Sequence, residues 1–192
     1  MPQIATERLY MRPYRASEHH LMHALIADPR VTFWRKHPLS VEETRAIFES
    51  KLGLPEHGLG WWAVFLNDQV GPDGAPVFVG QVILQPLEGS DEIEIGWHFV
   101  PEFWGNGYAS ETARALLAHA FAHLKLDRVV ALALPENQRS IGVIHRLGLK
   151  EGPETIHAGV PHRYFVCDFV SDFISDRGQL GAQSARLNTA GE

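Results

Sequence analysis

The chain has 192 residues, of which 45% are hydrophobic and 21% charged, and its formal net charge is -6. This length and composition are typical of one soluble globular domain, with room at most for an additional tail. The acidic balance and the lack of any run of Lys and Arg disfavour nucleic-acid binding. They slightly favour a cationic partner such as an amine.

Cysteine usage and the N-terminal residues bear on the compartment. Because Cys167 is the single cysteine, an intrachain disulfide is excluded and a reducing compartment is favoured. The first ten residues lack the basic and apolar regions of a signal peptide, and no stretch approaches the ~20 apolar residues that cross a bilayer. We therefore expect a cytoplasmic protein without membrane contact.

Hydrophobic periodicity predicts strands and helices that alternate along the chain. The predicted strands are residues 6–14, 61–66, 77–87, 92–100, 128–134 and 164–170. The predicted helices are residues 18–27, 40–52, 108–124 and 140–147. The turns at 67–76 and 88–90 predict an antiparallel three-strand meander, and the strand–helix–strand run over 92–134 predicts a parallel neighbouring pair. The fold class is therefore α/β (α+β).

The organisation into domains follows from where this periodicity stops. Residues 1–174 are expected to form a single domain. Residues 175–192 lose the hydrophobic pattern and are interpreted as a mobile or loosely docked tail. A short helix packing on a partner subunit is the alternative, and the sequence leaves monomer and homodimer open.

The segment W-G-N-G-Y-A at 104–109 lies between a predicted strand and a predicted helix. Its glycines let backbone amides approach a ligand, and the first N–H groups of the helix are unpaired and carry a partial positive charge. An anion such as a pyrophosphate suits this arrangement. No Lys-Ser or Lys-Thr follows, which excludes a P-loop, and the third glycine of a dinucleotide fingerprint is missing. A lone G-x-G could also be an ordinary tight turn.

Three segments carry a family resemblance: T-E-R-L-Y-M-R-P at 6–13, E-I-G-W-H-F-V-P-E-F-W-G-N-G-Y-A-S-E at 94–111, and N-Q-R-S-I-G-V-I-H-R-L-G-L at 137–149. In this order they resemble the GNAT superfamily of N-acetyltransferases, and within it the RimJ/RimL-like branch. The resemblance implies the GNAT fold, a mixed, mostly antiparallel central sheet with a splayed parallel strand pair, flanked by about four helices. It also implies direct acetyl transfer from acetyl-CoA, without an acyl-enzyme, to a primary amine in a ternary complex. The amine would be a protein N-terminus or a small molecule.

The resemblance places the acetyl-CoA site. Trp104 stands at the Gln/Arg place of the family's pyrophosphate motif, and a backbone N–H near His98 or Phe99 would hold the developing oxyanion. Gly96 is expected to mark a bulge or a close backbone approach on the same strand. The residues predicted to contact acetyl-CoA are His98, Phe99, Val100, Trp104, Gly105, Asn106, Gly107, Tyr108, Ala109, Asn137 and Ser140.

Two residues are the catalytic candidates. Glu94 is the predicted proton acceptor, directly or through water, and His98 on the same strand face is the alternative base. The simpler interpretation is that Glu94 pairs with an arginine or with buried amides. Ser140 is the predicted proton donor, because Ile144 stands where many relatives place a tyrosine. Capping a helix is the alternative role for Ser140, although Asn137 can serve as the cap.

The acceptor site is the least determined part. Trp34, His37, Trp61 and Trp62 are candidates to line it, although strand alternation requires one of the two adjacent tryptophans to face the core. The variable loops at about 29–40, 55–60 and 151–161 would surround it. His119 and His123 have a metal-compatible spacing without a third ligand near in sequence, so no metal is expected. A non-catalytic acyl-CoA-binding module is the alternative function.

Overall fold

The computed structural model describes residues 3–52 and 58–169. The tail at 175–192 and residues 55–57 of the loop at 55–60 lie outside the described residues. The helices are α1 (His19–Ile26), α2 (Val41–Lys51), α3 (Tyr108–Ala122) and α4 (Gln138–Leu147). The strands are β1 (Ile4–Ala5), β2 (Leu9–Pro13), β3 (Gly60–Val70), β4 (Pro76–Pro86), β5 (Ile93–Phe99), β6 (Arg128–Ala133), β7 (Lys150–Glu151), β8 (Thr155–His157) and β9 (Val160–Asp168).

One sheet organises the molecule, with strand order β1-β2-β3-β4-β5-β6-β9-β7 and β8 paired to β9. Its pairs are antiparallel except β5–β6, which is parallel. The predicted fold class, the meander and the parallel pair are therefore confirmed. Backbone pairing between β5 and β6 is confined to Glu94 opposite Val130. The two strands separate beyond that point, as the resemblance implied.

The two faces of the sheet carry separate apolar cores. The larger core packs α3 and α4 on side chains such as Trp62, Leu84 and Ile95, and the smaller one packs α1 and α2 on Ala63 and Phe65. Adjacent residues of β3 thus enter opposite cores, because side chains alternate along a strand. Burial of such side chains stabilises the fold by about 25 cal/mol per Å² of apolar surface.

Helix ends follow local chemistry. The Ser40 hydroxyl accepts the N–H of Glu43 at 3.1 Å, and the Glu43 carboxylate accepts the N–H of Ser40 at 2.7 Å. This reciprocal pair confirms the predicted capping box at the start of α2. Helix α4 ends at Gly148, whose φ of 84° places it in the left-handed region. Glycine adopts that conformation without steric cost.

Three expectations about the strands need correction. Strand β3 continues to Val70 and β4 begins at Pro76, so the connecting turn is shorter than residues 67–76. The β8–β9 hairpin was missed, and its pairing extends the last strand back to Val160. The bulge predicted at Gly96 is absent from the β4–β5 pairing, whose register runs without a break; the irregularities lie between β3 and β4 instead. Among the described helices, none has the length and apolar character needed to cross a membrane.

Candidate active site

The separation of β5 from β6 opens a cleft of about 1360 Å³. Its walls are β5, the turn before α3, the end of β6 and the first turns of α4. Small-molecule pockets usually measure ~300–1,000 Å³. The cleft is thus larger than most small-molecule pockets.

The glycine turn forms one end of the cleft. Gly105 and Gly107 have φ angles of 82° and 79°, and Gly107 is the N-cap of α3. The Glu111 N–H bonds the Gly107 carbonyl at 3.0 Å, so the amides of residues 108–110 receive no acceptor from the helix. The Trp104 indole N–H donates to the Phe99 carbonyl at 2.7 Å and ties the turn to β5. This end of the cleft therefore suits a diphosphate.

Two arginines that the sequence analysis did not single out border the same turn. The Arg139 guanidinium carbon lies 4.5 Å from the centroid of the Trp104 ring, and the Arg146 Nε donates to the Ser110 hydroxyl at 3.2 Å. Both side chains line the cleft. Their separation of seven residues, about two helical turns, puts them on one face of α4. That spacing is the signal that could have singled them out as candidates to contact a phosphate.

Most of the residues predicted to contact acetyl-CoA line the cleft, with two exceptions. Val100 is engaged in the sheet, since its N–H bonds the Val79 carbonyl at 2.9 Å. The Asn106 side chain folds back onto the Phe103 carbonyl at 3.1 Å. Neither is among the residues that line the cleft. The structure thus leaves these two side chains outside the cleft lining, and their contact with acetyl-CoA stays a prediction.

Glu94 and His98 project from the same face of β5, on either side of Gly96, and all three line the cleft. The Glu94 carboxylate accepts the amide N–H of Gln85 at 2.6 Å, and Gln81 Nε2 lies 3.1 Å from His98 Nδ1. Burial, together with the positive charge of Arg35, lowers the pKa of His98 to about 4. The histidine is therefore neutral at ordinary pH, with little affinity for a proton.

Glu92, which shares its face of the strand with Glu94 by alternation, has a different environment. Its carboxylate accepts the Tyr164 hydroxyl at 2.6 Å, and it does not line the cleft. Burial and the bond to Glu92 raise the pKa of Tyr164 to about 12. Glu92 therefore anchors β5 to β9.

Asn137 and Ser140 stand on the opposite wall, at the start of α4. The Asn137 side-chain oxygen accepts the N–H of Ser140 at 3.2 Å, so Asn137 caps the helix. Within the described residues, nothing bonds the Ser140 hydroxyl, which lines the cleft. Ile144 is 1% exposed in the core. The isoleucine is not among the residues that line the cleft.

Of the four acceptor-site candidates, the structure places Trp34 at the cleft. Trp34 is 44% exposed, and its ring centroid lies 6.2 Å from that of His98. His37 is exposed but is not among the cleft residues. Trp61 packs in the smaller core, and Trp62 is fully buried on the opposite face, against His119. None of these three residues is among those that line the cleft, and their role at the acceptor site stays a prediction.

No group of three or more metal-binding side chains is found within residues 3–52 and 58–169. His119 and His123 lie with ring centroids 5.2 Å apart. Burial lowers the pKa of His119. The pair belongs to the packing around α3.

Residues 8–150 match the family model described as the acetyltransferase (GNAT) domain, so the chain belongs to the GNAT family of acetyltransferases. Among curated relatives, an N-acetyltransferase of Bacillus subtilis called YnaD is 27% identical over 147 residues, covering 77% of this chain and 82% of the relative. The predicted family and the predicted enzyme class, an acetyl-CoA-dependent acyltransferase, are confirmed.

Solved structures agree with this assignment. An acetyltransferase from Agrobacterium tumefaciens superposes with a TM-score of 0.74 at 27% identity, covering 88% of this chain and 95% of its own. RimL, a ribosomal L7/L12 alpha-N-protein acetyltransferase solved in complex with coenzyme A, gives 0.70 at 19% identity, covering 87% and 98%. At that identity the likeness to RimL shows a shared fold.

Proposed function

We propose that the protein transfers the acetyl group of acetyl-CoA directly to a primary amine while both substrates occupy the cleft. One observation carries the proposal: a carboxylate, Glu94, and a hydroxyl without a partner among the described residues, Ser140, line opposite walls of a cleft that ends at the glycine turn. The amine is a protein N-terminus or a small molecule. RimL acts on a protein α-amine, and its shared fold supports the first alternative by analogy alone.

The glycine turn and the two arginines fit the phosphates of the donor. A Cβ added at Gly105 would meet no atom within 4 Å, so the space beside this backbone is open to a ligand. The amides of Gly105 to Ala109 would hold the diphosphate, and Arg139 and Arg146 would add charge-assisted hydrogen bonds. Bound there, acetyl-CoA supplies the thioester that the amine attacks.

The alternation of backbone hydrogen bonds along β5 supports Trp97 and Phe99 as the oxyanion donors. The Val100 N–H bonds Val79, and the Glu92 carbonyl accepts the Leu87 N–H. Ladder bonds alternate along an antiparallel pair, so even residues of β5 bond β4, and the N–H groups of Trp97 and Phe99 face β6. Since β6 has separated from β5 there, these amides are available to a carbonyl oxygen. One such donor contributes about 3 kcal/mol to catalysis.

Glu94 would accept the proton of the attacking amine through water. A strand rises ~3.3 Å per residue, so Glu94 lies roughly 10 Å along β5 from the Trp97 amide. Ser140 would donate a proton to the departing thiolate. An acyl-enzyme on cysteine is disfavoured, because Cys167 is buried in β9 and burial raises the pKa of its thiol to about 11. Direct transfer therefore fits the chain best.

Release of free thiol from acetyl-CoA, measured with a panel of peptides and small amines, tests this function. Intersecting initial-velocity lines are expected for a ternary complex, whereas parallel lines would refute direct transfer. Glu94→Gln should lower kcat/KM by about 10²-fold or more. Glu92→Gln is the matched control, because it changes a carboxylate two residues before Glu94 that does not line the cleft.

Ser140→Ala tests the other wall. Its kcat should fall while the Kd for CoA stays within about twofold, as expected for an acid that acts only during the reaction. A fall in affinity alone would make Ser140 a binding residue. Binding of acetyl-CoA without thiol release for any amine would instead support a non-catalytic acyl-CoA-binding module.

A further inference from the structure

Two glutamines of β4 connect the core beneath α1 and α2 to the two polar side chains of β5. Gln81 lies opposite His98 and Gln85 lies opposite Glu94 in the β4–β5 register. Directly opposed residues on one face of a sheet are in side-chain contact. Each glutamine has a second partner on its far side, Tyr14 for Gln81 and Trp61 for Gln85.

We infer that Gln85 and Gln81 are positioning residues that give the two cleft groups opposite hydrogen-bonding roles. Gln85 holds Glu94 as an acceptor. Gln81 holds His98 in the neutral tautomer whose Nδ1 accepts and whose Nε2–H donates. The inference rests on the proposed function, because it assigns the base of that reaction to Glu94 and removes His98 from that role.

The Trp61–Gln85–Glu94 relay has one possible direction. An indole N–H can only donate, and the Trp61 indole lies 2.7 Å from Gln85 Oε1. The amide oxygen of Gln85 is thereby turned to Trp61 and its NH₂ to Glu94, at 2.6 Å. An ionised carboxylate only accepts, and a hydrogen bond donated to it favours the ionised form. Lys51, whose ammonium lies 5.7 Å from the centroid of the Trp61 ring, is the charged group on the far side of this relay.

The Tyr14–Gln81–His98 relay fixes a tautomer. The buried Tyr14 hydroxyl donates to Gln81 Oε1 at 2.9 Å, which leaves the Gln81 NH₂ facing His98 Nδ1 at 3.1 Å. Because an amide NH₂ only donates, Nδ1 must carry a lone pair, and the proton of the neutral ring sits on Nε2. A proton added at Nδ1 would oppose the NH₂ of Gln81.

The surroundings of His98 agree with a neutral ring. Gln81 is 0% exposed, so its amide cannot exchange its partners for water without cost. Arg35, in the loop after α1, is the charged group that acts on His98, and its positive charge disfavours a protonated imidazole. Trp34 lies against the ring from the same loop. Glu94, four residues along the same strand, is already bonded to Gln85.

The pH dependence of kcat/KM tests the Gln85 half. Attack requires both a neutral amine and a free carboxylate, so log kcat/KM should fall with slope one as the pH decreases and, beyond a break at lower pH, with slope two. Gln85→Glu puts a second carboxylate against Glu94 and should move this break upward by at least about one pH unit. Gln69→Glu makes the same change at an exposed position of β3 and should leave the break unmoved.

Trp61→Phe provides a second test of the same half. It removes the indole donor and keeps an aromatic ring, so the Gln85 amide can rotate. The expected result is a lower kcat with an unchanged KM for the amine. An unmoved break in Gln85→Glu, or a shift of the same size in Gln69→Glu, overturns the assignment of Gln85.

The tautomer of His98 is read without substrate, by ¹⁵N chemical shifts of the imidazole in the whole protein, with His98→Gln identifying the signals. A protonated Nε2 and an unprotonated Nδ1 are expected, and Gln81→Glu should move the proton to Nδ1. Where that variant does not fold, Gln81→Met should give a mixture of tautomers. Wild-type protein with its proton on Nδ1 overturns the assignment of Gln81. The chemical shifts are measured without turnover, so they test the tautomer of His98 independently of the proposed function. Failure of the proposed function would instead appear as an unchanged rate in Glu94→Gln.

Discussion

Substitution of Gly105, in the turn before α3, can distinguish the effect of backbone strain on stability from the effect of a lost ligand contact on CoA binding. Gly105 has a φ of 82°, and a Cβ built there would meet no protein atom within 4 Å. Gly89, in the β4–β5 turn, has a φ of 78° and the same open surroundings. Gly105→Ala and Gly89→Ala therefore impose the same left-handed strain on an alanine. They differ in that Gly105 lines the cleft and Gly89 does not.

The two effects have different expected sizes. A non-glycine residue in the left-handed region costs about 1–2 kcal/mol. For a protein of this length, each kcal/mol lowers Tm by about 2–4 °C. Both variants should therefore lose about 2–8 °C, from the arithmetic of these two ranges. In Gly105→Ala the added methyl also displaces a phosphate from an amide. Loss of one charge-assisted hydrogen bond, about 1.5–3 kcal/mol, weakens CoA binding roughly 10- to 100-fold.

Thermal denaturation and calorimetric titration with CoA measure the two quantities on the same samples. Equal losses of Tm, with weaker binding in Gly105→Ala alone, are expected. If Gly105→Ala binds CoA as tightly as the wild type, the glycine turn does not hold the phosphates. If Gly89→Ala loses the same affinity, global destabilisation explains both variants.

Two further outcomes follow from β5. A Cβ at Gly96 would meet the Ile83 side chain at 3.8 Å, which is an ordinary contact, so Gly96→Ala should keep the Tm of the wild type. The added methyl fills space between Glu94 and His98 and should therefore lower kcat/KM for the amine. An unchanged kcat/KM would refute this expectation. The pKa of His98 is lowered to about 4 in the folded state, against ~6.5 in the unfolded chain. Between these two pH values the unfolded chain binds more protons than the folded one. The contribution of His98 to the free energy of unfolding is therefore fully present above pH ~6.5 and is lost as the pH falls towards ~4, with a slope of up to about 1.4 kcal/mol per pH unit. The difference in unfolding free energy between wild type and His98→Gln, measured by urea titration across that window, should show this slope, and a flat difference would contradict it.

The sequence predicted the elements whose signals are local. The capping box at Ser40, the strong periodicity of α3 and the strand–helix–strand order each depend on residues close together in the chain. The fold class followed from that order. The β8–β9 hairpin was missed because β8 has only three residues and the paired segments carry exposed apolar residues, Ile156 and Val160. These segments therefore lack the alternating pattern of a half-buried strand.

The candidate site was predictable where backbone and motif determine it. Glycines at 105 and 107 and the strand positions of Glu94 and His98 required only the order of elements. Prediction of the acceptor-site residues would have required knowing towards which face of the sheet each tryptophan side chain points. Alternation showed that Trp61 and Trp62 oppose each other, but the side towards the cleft depends on how α1 and α3 cover the sheet. The glutamine relays depend on the β4–β5 register, which the turn at 88–90 does not determine alone.

The β5 strand explains how one element can serve two substrates. Its odd residues, Trp97 and Phe99, turn their amides towards the space left by β6, where the donor thioester would lie. Its even residues, Glu94 and His98, turn their side chains to the other face, where Trp34 stands. A strand alternates both its backbone and its side-chain directions with period two. A one-residue slip of β5 against β4 would therefore exchange these roles and separate both glutamines from their partners, so the uninterrupted β4–β5 register is a condition of the chemistry as well as of the fold.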